Sequence, residues 1–128
     1  MLSRRSVLIV DESEETRAVL RAALEQRGAD ILEASRAEQG LALAQQHHPD
    51  VIVLDLEIDS ASHPQIAAGF TSEADTQHTP LVLLGSARRE RRSFPTGQFV
   101  AKPYHYGPLI RRIEQLLDQA QQPLARVA

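Results

Sequence analysis

Residues 51–55 read Val51-Ile52-Val53-Leu54-Asp55, four branched apolar residues in a row closed by an acid. A strand with one face in water alternates apolar and polar residues. A run without alternation is covered on both faces, the habit of parallel sheets. The same signature stands at Val7-Leu8-Ile9-Val10, closed by Asp11 and Glu12, and at Leu81-Val82-Leu83-Leu84, closed by Gly85 and Ser86. Two weaker strands are predicted at residues 29–34, around Ile31 and Leu32, and at residues 99–101, ended by Lys102 and Pro103.

Between these runs the apolar spacing turns helical. Residues 14–27 carry Leu20, Ala23 and Leu24 on one stripe, with Ser13 placed to cap the start and Gly28 to stop the end. Residues 37–47 present Leu41 and Ala44 before Pro49 and Asp50 close the helix. Residues 108–119 form the strongest amphipathic pattern, Leu109, Ile113, Leu116 and Ala120. The stretch 56–79 suggests only a short helix around Ile66–Phe70, and residues 88–98 are charged and broken by Pro95 and Gly97.

Five strands alternating with helices, strand first, predict an α/β fold with an open, doubly wound parallel sheet and right-handed crossovers. At 128 residues the chain is one domain, expected to span residues 5–119 between a short N-terminal extension (1–4) and a polar C-terminal tail (120–128). A formal charge of −3 argues against direct nucleic-acid binding through bulk charge. The absence of cysteine excludes disulfides, thiolate chemistry and cysteine-ligated zinc. No apolar run is long enough for a membrane span and the N-terminus is not patterned as a signal peptide, so a cytoplasmic location is expected.

In an open parallel sheet, ligands bind beyond the carboxyl ends of the strands. Asp11, Glu12, Asp55, Gly85, Ser86 and Lys102 all fall on that rim. Crowded carboxylates need a counter-charge. Mg²⁺ suits them, because it takes one or two carboxylates together with waters and phosphate oxygens. A lysine opposite would complete a clamp for a phosphoryl group, and an aspartate can itself be the nucleophile. The five histidines (47, 48, 63, 78 and 105) share no ligand spacing and read as surface residues.

The acidic pair after the first strand, the lone Asp55 after the third and Lys102-Pro103 after the fifth together resemble the receiver domain of two-component response regulators. The resemblance implies a flavodoxin-like (βα)5 sheet of order 2-1-3-4-5. It implies that Asp55 is the phosphoacceptor and that Mg²⁺ is held by Asp11, Glu12, Asp55 and the backbone carbonyl of Glu57. It also implies that Lys102 contacts the phosphoryl group, that the Lys102–Pro103 bond is cis and that Phe99 is a switch aromatic. The donor would be a histidine kinase or phosphotransfer protein. Such a domain assists its own phosphorylation and is not a turnover enzyme.

The chain departs from that pattern in three places. The usual Thr/Ser position falls on Gly85; either Ser86 supplies the hydroxyl through a one-residue shift, or the site has none. The loop after Asp55 reads Asp59, Ser62, His63 and Pro64 where a proline and an Asp-Gly pair are usual, and is expected to be irregular. The span from Gly85 to Phe99 is short, so helix 4 is expected to be shortened. That span holds Arg88, Arg89, Arg91 and Arg92, a solvated segment or a docking patch for an acidic partner. With no further domain after residue 119, output is expected through a downstream protein effector, or the chain is a piece of a longer protein. A homodimer stays open. The alternative function is a degenerate pseudo-receiver, an interaction domain independent of phosphorylation.

Overall fold

A computed structural model describes residues 5–58, 61, 63–86, 94 and 96–120. Strands β1 (Ser6–Val10), β2 (Asp30–Ala34), β3 (Val51–Asp55), β4 (Leu81–Gly85) and β5 (Gln98–Ala101) form one sheet. All its pairings are parallel and its order is β2-β1-β3-β4-β5. Helices α1 (Glu14–Glu25), α2 (Ala37–His47), α3 (Pro64–Gln77) and α4 (Tyr106–Ala120) cover its two faces.

The unalternating strands explain the layering. Successive side chains point to opposite faces, so each strand feeds two cores. Val7, Ile9, Val51, Val53, Val82 and Leu84 pack with Leu20 and Leu24 of α1 and Leu109, Ile113, Leu116 and Leu117 of α4. Leu8, Val10, Ile52, Leu54, Leu81 and Leu83 face the other way, onto Ala37 and Ala44 of α2 and Ala67, Phe70 and Ala74 of α3. Accordingly α1 packs beside α4 and α2 beside α3.

Three helices differ from their sequence pattern for physical reasons. Helix α3 is 14 residues long where a short segment around Phe70 was expected. Its buried positions are Ala67, Phe70 and Ala74, and two small residues among three leave little apolar periodicity to read. Pro64 sits in its first turn, where the missing N–H has no intrahelical partner anyway. The first-turn argument also explains why α4 begins at Tyr106, before Pro108. Helix α1 ends at Glu25 with Gln26 as its cap, short of Gly28, which takes the left-handed conformation (φ 88°) in the following turn. Ser13 does cap α1, accepting from the Thr16 N–H. Residues 87–93 lie outside the described residues, and with them the expected shortening of helix 4. Phe94 beyond them is fully buried in the α2–α3 core.

Helix α2 approaches the sheet closely at Gly40. A Cβ there would lie 2.5 Å from Val10 Cγ2. Gly40→Ala should therefore destabilise the domain by about 1 kcal/mol, although alanine gains about 0.5–1 kcal/mol in helix propensity. The midpoint of urea unfolding measures this. A more stable variant would mean that α2 and β1 part more readily than this packing implies.

Candidate functional site

The register of the sheet brings the polar strand ends together. Val10 is level with Leu54, Asp55 with Leu84 and Gly85 with Ala101. Asp11 thus follows β1 beside Asp55, and Ser86 and Lys102 each lie one step beyond a paired strand end. Their connections are short and tied down. The Lys102 N–H donates to the Gly85 carbonyl at 2.9 Å, the Leu56 N–H to Leu84 at 2.8 Å, and the Asp11 N–H to Ala34 at 3.0 Å. The Lys102–Pro103 bond is cis, as expected from the sequence.

A cavity opens on this rim. Asp11, Glu12, Ser13, Thr16, Asp55, Ser86, Lys102, Pro103, Tyr104 and Tyr106 line it. Asp11 and Asp55 are buried, each 4% exposed, whereas Glu12 stands exposed at the mouth. The Asp55 Oδ1 accepts from Lys102 Nζ at 2.9 Å and from the Glu57 N–H at 3.0 Å. Asp11 Oδ1 accepts from the Ser13 N–H at 2.8 Å, at the start of α1. The Arg17 guanidinium donates to the Asp11 carbonyl at 2.7 Å and steadies that backbone from behind.

Charge is unevenly shared. Lys102, the only lysine of the chain, is bonded to the carboxylates of Asp55 and Glu57 and shares the cavity with Asp11 and Glu12. Burial, reinforced by the nearby Asp55 charge, pushes the Asp11 carboxyl above its ordinary value, against the Ser13 N–H that favours the anion. Burial opposes the charge on Lys102, but hydrogen bonds to Glu57 and Asp55 prevail and raise its pKa above the usual lysine range. Lys102 is therefore a fixed cation at any physiological pH.

The residues singled out in the sequence divide as follows. Asp11, Glu12, Asp55, Ser86 and Lys102 share the cavity. Gly85 closes β4, and Ser86, the next residue, is the one that lines the wall. Phe99 is half-buried against the α2–α3 core. Glu57 was expected to act through its carbonyl, but its side chain also takes part: Lys102 Nζ donates to Glu57 Oε1 at 2.8 Å. Arg88, Arg89, Arg91 and Arg92 lie outside the described residues, as do Asp59 and Ser62. His105 is exposed, while His48 and His78 end α2 and α3 in left-handed conformations and His63 caps the start of α3.

Sequence reasoning missed the aromatic wall. Tyr104 and Tyr106 meet edge to face, their ring centroids 5.9 Å apart, and the Tyr106 and Thr16 hydroxyls lie 3.3 Å apart. Two tyrosines at alternate positions just after Lys102-Pro103 were the available signal.

Among the described residues no three His, Cys, Asp or Glu side chains gather into a metal-binding group. Mg²⁺ asks for less than that, since one or two carboxylates with waters suffice. The adjacent buried carboxylates of Asp11 and Asp55 fit that demand. Because burial first, and the Asp55 charge after it, raise the Asp11 pKa, Asp11→Asn should stabilise the metal-free domain by on the order of 1 kcal/mol at pH 7. The gain should shrink as pH falls toward 3.8, the ordinary aspartate value, where the parent carboxyl is protonated too. Urea unfolding in chelator across pH measures it; a variant less stable at neutral pH would show that the Ser13 bond outweighs the repulsion.

Known proteins share this architecture. The chain is 28% identical over 116 residues to the protein PilH of Pseudomonas aeruginosa, covering 87% of this chain and 96% of that one. It is 24% identical over 122 residues to the polar-differentiation response regulator DivK of Brucella ovis, covering 91% and 98%. The receiver domain of the Francisella response regulator 1452 superposes with a TM-score of 0.76 at 20% identity, covering 92% of this chain and all of that one. The chemotaxis response regulator CheY4 of Vibrio cholerae superposes with a TM-score of 0.74 at 21% identity, covering 89% and 99%. A family profile, the response regulator receiver domain, matches residues 7–114, and the chain belongs to that family of two-component signalling domains.

Proposed function

We propose that this receiver domain is a phosphoacceptor that takes a phosphoryl group on Asp55. The observation that carries the reading is the Asp55 carboxylate, buried at the end of β3 with Lys102 Nζ 2.9 Å from Oδ1 and Asp11 beside it. An Asp55 carboxylate oxygen attacks phosphorus. The new O–P bond forms as the bond to the donor breaks, and the donor leaves with the electron pair. From a histidine kinase or phosphotransfer protein the leaving group is an imidazole; from acetyl phosphate it is acetate. Lys102 keeps its proton throughout, and its charge offsets the negative charge on the phosphoryl oxygens. Asp11, Glu12, Asp55 and the Glu57 carbonyl are the groups to hold Mg²⁺, which when bound supplies further charge neutralisation.

Receiver domains are generally signalling modules without catalytic turnover, and we assign this one no enzymatic activity. Its fold occurs in a receiver-modulated diguanylate cyclase from Pelobacter carbinolicus and in the receiver of the hybrid histidine kinase CckA. For this chain we propose a cytoplasmic domain over residues 5–119 whose output passes to a protein effector through the β5–α4 side, with Phe99 as the switch aromatic. No helix among the described residues is long and apolar enough to cross a membrane.

A second reading has one observation in its favour. The Glu57 carboxylate already engages Lys102, as in a domain that signals without phosphorylation. Mass spectrometry after incubation with acetyl phosphate and Mg²⁺ separates the two. The parent should gain one phosphoryl group, Asp55→Asn none, and Asp11→Asn should react at least about tenfold more slowly. A parent that stays unmodified would favour the second reading.

A further inference from the structure

The side chain of Glu57 does something that its place in the loop after β3 does not require. Its carboxylate accepts from Lys102 Nζ at 2.8 Å, and from both the hydroxyl and the backbone N–H of Ser86. These donors come from two different strand ends, yet they converge on one anion. The same Lys102 ammonium lies 2.9 Å from Asp55 Oδ1, and the Glu57 N–H is 3.0 Å from that oxygen. The donors that would receive the oxygens of a phosphoryl group on Asp55 are thus already satisfied by a resident carboxylate.

We infer that Glu57 is an internal stand-in for the phosphoryl group, holding Lys102 and Ser86 in the resting domain and yielding them when Asp55 is modified. The inference rests on the phosphoacceptor reading of Asp55. Two anions cannot share the seat. A phosphoryl group brings about two negative charges, and among the described residues that line the cavity Lys102 is the one cation, so Glu57 and the phosphoryl group would compete for it. The Glu57 side chain is 39% exposed, so it has a direct way out into water, where a carboxylate needs no partner. Lys102 is only 25% exposed and is held by both acids, so the lysine stays and the glutamate leaves.

Two consequences follow. The resting site is pre-shaped around an anion, with its donors oriented before any donor protein arrives. Acceptance is also resisted, because each incoming phosphoryl group must displace a charge-assisted contact first. Departure of Glu57 would then release the contacts that tie this residue, two positions beyond Asp55, to Lys102 and Ser86. Glu57 is in this sense a positioning residue that sets how readily Asp55 is modified.

The test uses the full chain, its Glu57→Gln and Glu57→Ala variants, and beryllofluoride with Mg²⁺ as the phosphoryl probe, titrated by amide spectra. Acetyl phosphate provides the rate, Asp55 gaining an O–P bond as acetate leaves with the electron pair. Both variants should bind beryllofluoride about tenfold more tightly than the parent and accept phosphate about tenfold faster, as expected when one charged competitor is removed. Glu57 is exposed, so neither substitution endangers folding. Equal or weaker binding in both variants, with the parent still binding, would overturn the stand-in role and leave the phosphoacceptor reading in place. Failure of all three proteins to bind the probe would overturn both.

Discussion

The three inner strands of this sheet, β1, β3 and β4, are apolar on both sides, and that constraint shapes the rest of the molecule. A parallel ladder buried on both faces must be roofed twice, so the helices divide into pairs, α1 with α4 and α2 with α3. With both faces closed, the chain can place polar groups in dry surroundings only where the strands stop. The carboxyl ends of β1, β3, β4 and β5 therefore carry Asp11, Asp55, Ser86 and Lys102. The site exists because the core has no other exit for charge.

Within that rim a single ammonium balances several carboxylates. Lys102 is held by Asp55 and Glu57 together, and its backbone is pinned to Gly85 on the neighbouring strand end. The secured charge of Lys102 and the suitability of a divalent cation refer back to this imbalance, while the raised pKa of Asp11 comes first from its burial. An arrangement with a second lysine would be calmer at rest but would have less need of an incoming metal ion.

Most of the fold was legible because its signal is of the strongest kind. Val7–Val10, Val51–Leu54 and Leu81–Leu84 are unbroken apolar runs of strand length, and each ends in a polar residue that belongs to the site. Helix α3 was half hidden because Ala67 and Ala74, two of its three buried positions, are too small to mark a stripe. The choice between Gly85 and Ser86 turned on a one-residue count at a strand end, and only the register of β4 against β5 places Ser86 on the cavity wall. The Glu57 side chain was invisible for a different reason. Its role depends on Lys102 and Ser86, distant in sequence, and an acid two residues after a strand carries no local sign of what it will meet.

Tyr104 and Tyr106 have a practical consequence. They are the only tyrosines in the chain, and there is no tryptophan. Both rings line the cavity that holds Asp55 and Lys102. Nearly all of the protein's intrinsic fluorescence therefore arises at one place, from two rings in mutual contact, one of them beside the Thr16 hydroxyl and both close to Asp11 and Lys102. The molecule carries its own optical reporter, built into the wall of the cavity, and emission from the unlabelled chain reads that wall and little else.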